Sequence, residues 1–268
     1  MEKLVIIFNR FVDWLYTIND PFSIPYKYRR HKSYFSYRKL GDQVFDLVRS
    51  QTKNQYLEPT NILDIGCGDG RTAQAFARQN PKLNYIGMDI NKKWVDLLNQ
   101  VYKEKSNYSF IHSNVYNLMY NPNGTDNAIE YIFPFEDNKF DLIILNSVFT
   151  HMQPLEATHY LTEIQRLLKD DGTCWCTFMI LTNDHDVKYP YADFKHKYDM
   201  GDYKTTNKDM PENNVAYDEH NLKRMINEYF EIDKIIYGWW RNIKEVKFDL
   251  NKCKQDVLIL KKKKVDEK

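Results

Sequence analysis

Residues 61–76 read NILDIGCGDGRTAQAF. The chain has nine glycines in 268 residues, yet Gly66, Gly68 and Gly70 fall within five positions of one another, between a short apolar run and a helical pattern. A glycine-rich turn in that setting brings backbone N–H groups and a helix N-terminus close to a ligand. Dinucleotide turns space their glycines as G-x-G-x-x-G and receive a pyrophosphate. Here the spacing is G-x-G-x-G, and Asp64 stands two residues ahead of the first glycine. A carboxylate at that position repels a pyrophosphate and stabilises an ammonium group, so the pattern points to a cationic ligand.

Outward from this turn, apolar runs alternate with helical periodicity. NILDI and NYIGMDI read as buried strands with a helix over RTAQAFARQ between them, and KKWVDLLNQVY follows as a second helix. YSFIHSNV and DLIILNSV supply two more strands, Pro154 opens a helix over PLEATHYLTEIQRLLK, and the tripeptide DDG at 170–172 closes it before TCWCTFMIL. Regular alternation of this kind predicts an α/β fold with a mostly parallel sheet and helices on both faces. DEHNLKRMINEYF reads as a further helix, and FEIDKIIYGWW and QDVLIL as two strands with no helix between them, which predicts an antiparallel pair at the sheet edge. The lysines at 261–264 suit a solvated tail at such an edge. Residues 1–58 are expected to form a helical N-terminal cap of the same domain, and 59–264 the main body with a polar insert at about 182–218.

Composition narrows the function classes. Lys plus Arg number 38 against 37 Asp plus Glu, so net charge offers no argument for nucleic acid or an acidic membrane. The four cysteines lack zinc-ribbon spacing and the density of a disulfide scaffold, consistent with a reducing cytoplasm. The apolar run after Lys3 ends at Asn9, too short for a signal-peptide core or a membrane span. Leu4, Phe8, Phe11 and Leu15 share one helical stripe, which predicts packing on the chain's own domain or on a second copy in a homodimer, with a membrane-surface helix as the alternative.

LDIGCGDG resembles the first motif of the class I S-adenosylmethionine-dependent methyltransferases. The resemblance implies a Rossmann-like fold with a seven-stranded sheet whose C-terminal strand is antiparallel. It also implies that Asp64, Gly66, Cys67, Gly68 and Gly70 hold S-adenosylmethionine. Asp89, which ends the second strand, is then placed to accept hydrogen bonds from both ribose hydroxyls, with Ile90 against the adenine. Asn114 and Val115 follow the third strand, where the family usually carries an acid that meets the adenine amino group; Asn114 departs from that pattern but keeps an acceptor oxygen. Asn146 completes the set. The run FDLIILNSVFTHM, with YNPNG and FPFEDNKFD before it and YDEHNLKRM, YGWW and QDVLIL after it, is similar to a bacterial subgroup associated with glycan and small-molecule biosynthesis. The likeness spans residues 55–262 and implies methylation of a small acceptor, foremost a hydroxyl of a sugar, capsule or envelope precursor that can carry phosphate.

His151 lies just past the C-terminal end of the fourth strand, where ligands of open α/β sheets bind, and can serve as general base; it can equally cap the next helix or bond to cofactor or backbone. Tyr217, Trp239 and Arg241, with Trp240, read either as a substrate wall that stacks a sugar ring or as a strand-end aromatic cluster. Asp184, His185 and Asp186 have ligand-type side chains without a metal-site spacing, so no metal is expected. Residues 24–40, IPYKYRRHKSYFSYRKL, interleave seven basic residues with five aromatics. That stretch reads as a lid over the cofactor, with an RNA-binding surface of a tRNA or rRNA methyltransferase as the rival. A non-catalytic, S-adenosylmethionine-binding regulatory partner is the second alternative.

Overall fold

A computed structural model describes residues 7, 8, 10, 11, 14, 15, 17–30, 33–52, 60–182, 195–241 and 253–263, the side chains of Tyr26 and Arg241 excepted. Asp184, His185, Asp186 and Lys264 lie outside the described residues. Seven strands form the main sheet: β1 (Asn61–Ile65), β2 (Asn84–Asp89), β3 (Tyr108–His112), β4 (Phe140–Leu145), β5 (Leu168–Phe178), β10 (Phe230–Ile236) and β11 (Asp256–Lys262), in the order β10-β11-β5-β4-β1-β2-β3. Neighbours from β3 through β5 pair parallel, while β11 runs antiparallel to both β5 and β10. This is the expected seven-stranded, Rossmann-like arrangement.

Alternation along the strands builds two cores. In β4, Leu142 and Ile144 face one side with Ile62, Trp175 and Ile259, while Ile143 and Leu145 face the other with Leu63, Cys174 and Leu258. Helices α1 (Tyr34–Gln51), α2 (Arg71–Gln79) and α3 (Lys92–Val101) cover the first face, and α4 (Pro154–Leu167) and α5 (Glu219–Asn227) the second. Each helix contributes the apolar stripe that its period predicts, such as Ala157, Leu161 and Ile164 from α4.

Two expectations need correction. The tripeptide at 170–172 does not close a helix: α4 ends at Leu167 and β5 begins at once, with a shift of register against β4 between Phe140 and Leu142. Lys261 and Lys262 are not a solvated tail, because they lie in β11, and β10, not β11, forms the edge. Lys262 Nζ donates to Asn138 Oδ1 at 2.6 Å and to the Leu168 carbonyl at 3.0 Å, and Lys261 bonds Thr173. The described residues of 7–18 are mostly helical, and Phe8, Phe11 and Leu15 of the expected stripe stay exposed on this chain, which leaves the own-domain alternative without support and the second-copy and membrane-surface alternatives open.

The insert carries more structure than its polar composition suggests. β7 (Tyr198–Asp199), β8 (Tyr203–Thr205) and β9 (Val215–Asp218) join β6 (Ile180–Leu181) in a second sheet of order β6-β9-β8-β7. Strands of two to four residues are too short to show a period of two.

The third glycine of the motif serves packing. Gly70 caps α2 in a left-handed conformation (φ +78°), and a Cβ there would fall 2.3 Å from Leu98 Cδ2. Left-handed backbone and a collision with a buried leucine add up, so Gly70→Ala is expected to cost roughly 2–4 kcal/mol in urea unfolding. Unchanged unfolding would show that α2 and α3 can part without penalty.

Candidate functional site

The chain runs outward from β1 to β3, then returns to β4 beside β1, so the C-terminal ends of β1 and β4 diverge and open a crevice. A cavity with about 1100 Å³ of empty space, its mouth included, lies there. Asp64, Gly66, Cys67, Gly68, Asp89, Ile90, Val115, Asn146 and His151 all line it. Residues separated by 87 positions in sequence thus share one chamber.

The motif turn is shaped by its backbone bonds. Gly66 and Cys67 N–H both donate to the Met88 carbonyl (2.7 and 3.1 Å), and Gly68 N–H donates to Asp89 Oδ2 (2.7 Å). Gly68 has φ +55°, and a Cβ on it would meet nothing nearer than the Gly66 carbonyl at 4.0 Å. The space in front of it is therefore open for a ligand to approach the backbone. The Cys67 thiol is buried and pushed well above its ordinary range by desolvation, so it offers no nucleophile.

Two buried carboxylates face this turn. Burial, opposed by a hydrogen bond from the Tyr85 hydroxyl, raises Asp64 to about 7. Burial also raises Asp89, although its carboxylate accepts from Gly68 N–H and, through Oδ1, from Asn91 N–H at 2.7 Å. Carboxylates kept in a crevice at such a cost suit a ligand that brings its own positive charge and hydroxyl donors. An amino-acid chain carrying an ammonium and joined through sulfur to a ribose has that chemistry; these residues fit S-adenosylmethionine.

His151 sits on a 3-10 turn, Phe149–His151, beyond β4. The preceding Ser147 has φ +65°, a conformation few non-glycine residues adopt, and is held there by Thr177, whose Oγ1 accepts from Ser147 N–H (2.8 Å), and by Gln255, which donates to Ser147 Oγ (2.9 Å). The turn is pinned from below by Tyr217, whose hydroxyl reaches the Phe149 and Met152 carbonyls at 3.1 and 2.6 Å, and by Phe149 stacking on Phe178 at 4.5 Å. His151 Nδ1 lies 3.0 Å from the Glu212 carbonyl, which can only accept, so Nδ1 carries the proton. Nε2 is left with its lone pair, 3.2 Å from the Tyr120 hydroxyl that donates to it. Burial lowers the His151 pKa below the ordinary histidine value, keeping the ring neutral.

A strap from the N-terminal region crosses the mouth. The Trp94 indole donates to the Tyr28 carbonyl (3.1 Å), Arg30 N–H donates to Asp69 Oδ2 (2.8 Å), and the Arg30 guanidinium reaches the Tyr120 hydroxyl (3.3 Å). Arg29 is 1% exposed and lies 5.4 Å from both the Tyr34 and Tyr37 rings, while Tyr37 donates to the Asp69 carbonyl. Much of the basic–aromatic interleaving is thus consumed inside the fold.

Four site expectations fall elsewhere. Gly70 packs against Leu98 and does not line the cavity. Asn114 is turned away: its amide donates to Thr125 Oγ1 (2.9 Å) and its oxygen accepts from Asn121, so Ser113 and Val115 face the chamber instead. Tyr217 is fully buried beneath the His151 turn. Trp239 and Trp240 sit at the sheet end, Trp240 donating to Asp256 Oδ2 at 2.9 Å, and neither lines the cavity. The Arg241 side chain lies outside the described residues. Arg30, from the stretch read as a lid, lines the chamber, and the residues missed include Trp94, Tyr120, Glu156 and Tyr160, which line it too. Glu156 had a legible signal, since its place in the first turn of a Pro-opened helix faces the strand ends. Among the described residues no cluster of three or more metal-ligating side chains occurs, and no helix is long and apolar enough to cross a membrane.

Comparison with known proteins agrees with this geometry. Residues 63–176 match the family model described as a methyltransferase domain. An uncharacterized methyltransferase of Schizosaccharomyces pombe is 29% identical over 131 residues, 46% of this chain and 41% of that protein. Carboxy-S-adenosyl-L-methionine synthase 1 of Yersinia pseudotuberculosis is 26% identical over 151 residues, 56% of this chain and 58% of that one. The chain thus spans about half the length of these curated relatives. Among solved structures, the PH0226 protein from Pyrococcus horikoshii OT3 superposes with a TM-score of 0.57 at 17% identity, covering 88% of this chain and 95% of that one. Residues 63–176 are therefore similar to a methyltransferase domain, within a Rossmann-like methyltransferase fold.

Proposed function

We propose that the chain methylates a hydroxyl of a small, sugar-like acceptor, of the kind that enters glycan, capsule or envelope precursors. The observation that carries this reading is the fixed tautomer of His151: Nδ1–H is held by the Glu212 carbonyl, so Nε2 presents a lone pair inside the chamber. When bound, S-adenosylmethionine supplies an electrophilic methyl group on a positively charged sulfur. The acceptor hydroxyl displaces Tyr120 from Nε2 and gives that nitrogen its proton as its oxygen is methylated. The Glu212 carbonyl then stabilises the imidazolium through Nδ1–H. Asp64 would hold the cofactor's ammonium and Asp89 its ribose, with Ile90 and Trp94 beside the adenine. The strap at Tyr28–Arg30 acts as the lid that excludes water.

The RNA reading is weakened by the burial of Arg29, Tyr34 and Tyr37, which removes stacking platforms that single-stranded RNA would need. Release of S-adenosylhomocysteine should be screened across sugar nucleotides, free glycosides, small metabolites and tRNA. Turnover with glycosides supports the proposal; turnover with tRNA alone, or binding of the cofactor with no turnover in any pool, sinks it.

A further inference from the structure

We propose that the acceptor site continues past Glu156 into an outer groove that takes the distal part of an elongated acceptor, one that is uncharged or amine-bearing there. The proposal rests on the acceptor reading above and adds the acceptor's length and charge. The second cavity, with about 700 Å³ of empty space, includes Ile129, Leu155, Met200, Asp202 and Tyr203 in its wall. Consecutive residues divide between the two spaces: Ala128 and Met152 line the inner chamber, Ile129 and Gln153 the outer groove, and Glu156 lines both.

Glu156 is built for a ligand at this junction. Its Oε2 accepts from Gln153 N–H at 2.7 Å, which fixes the carboxylate, and no hydrogen bond reaches Oε1 among the described residues. One oxygen is therefore anchored and the other is available to a hydroxyl or an ammonium. Among the described residues, the groove's only charged lining side chains are Glu156 and Asp202. A phosphate or carboxylate placed there meets two like charges and no counter-charge, whereas a hydroxyl or ammonium meets acceptors. Beside Gln153 and Tyr203 the wall carries accessible apolar side chains, with Leu155 75% exposed, Ile129 41% and Met200 39%. Flat C–H surface opposed by fixed carboxylate oxygens matches the two sides of a neutral or amino sugar ring. The groove floor is firm, since Tyr203 donates to Gln153 Oε1 at 3.0 Å. It is the insert, through Met200 to Tyr203, that lengthens the site.

Methionine methyl groups stand in both spaces and allow a test that needs no known substrate. Protein labelled with ¹³C at its methionine methyls and saturated with S-adenosylhomocysteine would be titrated with maltose, glucosamine and glucose 6-phosphate. Met200 reports the groove and Met152 the inner chamber. Maltose and glucosamine are expected to shift Met200, and glucose 6-phosphate is not. Glu156→Gln should weaken glucosamine about tenfold or more, because its one oxygen stays on Gln153 N–H and its NH2 faces the ligand, where a maltose hydroxyl oxygen can still accept but an ammonium cannot. Leu155→Asp, at a site too exposed to unfold the chain, should weaken maltose. A Met200 shift with glucose 6-phosphate as large as that with glucosamine overturns the proposal. So does a still Met200 with both maltose and glucosamine; if Met152 moves in that case, the acceptor chamber stands and only its extension is lost. The acceptor reading itself is judged separately, by release of S-adenosylhomocysteine.

Discussion

His151→Ala is expected to lower turnover by about 10²–10⁴-fold while leaving the affinity for S-adenosylhomocysteine unchanged. The ring comes from the turn after β4, and the carboxylates proposed to hold the cofactor lie across the crevice on β1 and β2. Burial lowers the His151 pKa below the ordinary 6.5, so the acid limb of kcat/KM should fall below that value. Tyr120→Phe removes the hydroxyl that donates to Nε2 and so favours the neutral ring; its loss should move the limb upward, toward 6.5. Stability follows the same sign. The unfolded chain takes up a proton at His151 near pH 6.5 and the folded chain resists it, so this group's contribution declines as pH falls through that value. Imidazole NMR of the free enzyme reads the same titration without an acceptor. If the ring titrates at or above 6.5 and His151→Ala turns over normally, the histidine only braces the Glu212 loop.

The sheet and the cofactor half of the site were legible for a physical reason: both are local. The alternation of short apolar runs with helical stripes specifies strands and helices one at a time, and the turn after β1 carries its own glycines and acid within seven residues. The rest of the chamber is assembled by topology. Tyr120 comes from the loop after β3, Glu156 from the first turn of α4 and Arg30 from the strap, and no spacing in sequence announces that they meet. Aromatic residues left two readings open in both regions. Tyr217 and Trp240 read either as a substrate wall or as a strand-end cluster, and the structure takes the second: each has a polar atom with a buried partner, the carbonyls under the His151 turn for one and Asp256 for the other, so both are satisfied in the core. In the basic stretch, Tyr34 and Tyr37 are taken up by Asp20, Asp69 and Arg29, partners that sequence alone does not pair.

Asp64→Asn is expected to act in opposite directions on stability and on cofactor binding. In the free protein the carboxyl is raised from 3.8 to about 7, chiefly by burial and despite the hydrogen bond from Tyr85. The folded chain therefore holds a proton that the unfolded chain has released, and stability is lost as pH rises from 3.8 through 7. At about 1.36 kcal/mol per pH unit, that gap is roughly 4 kcal/mol of strain carried by the ionised form. Asparagine cannot ionise and its oxygen can still accept from Tyr85, so at pH 8 the cofactor-free variant should melt several degrees above the parent, with no gain at pH 4. The ligand reverses the order. An ammonium beside Asp64 favours the carboxylate, so S-adenosylhomocysteine should bind more tightly to the parent as pH rises from 6 to 8, releasing a proton near pH 6, while the variant binds weakly and without that pH dependence. Calorimetry at pH 6 in two buffers of different ionisation enthalpy measures the proton directly. Binding by the variant at parental affinity would reduce Asp64 to a partner of Tyr85 and leave the cationic end of the cofactor to be held elsewhere. The expected trade explains why an acid stands where a neutral residue would fold better: the buried charge is unfavourable until the ligand that matches it arrives.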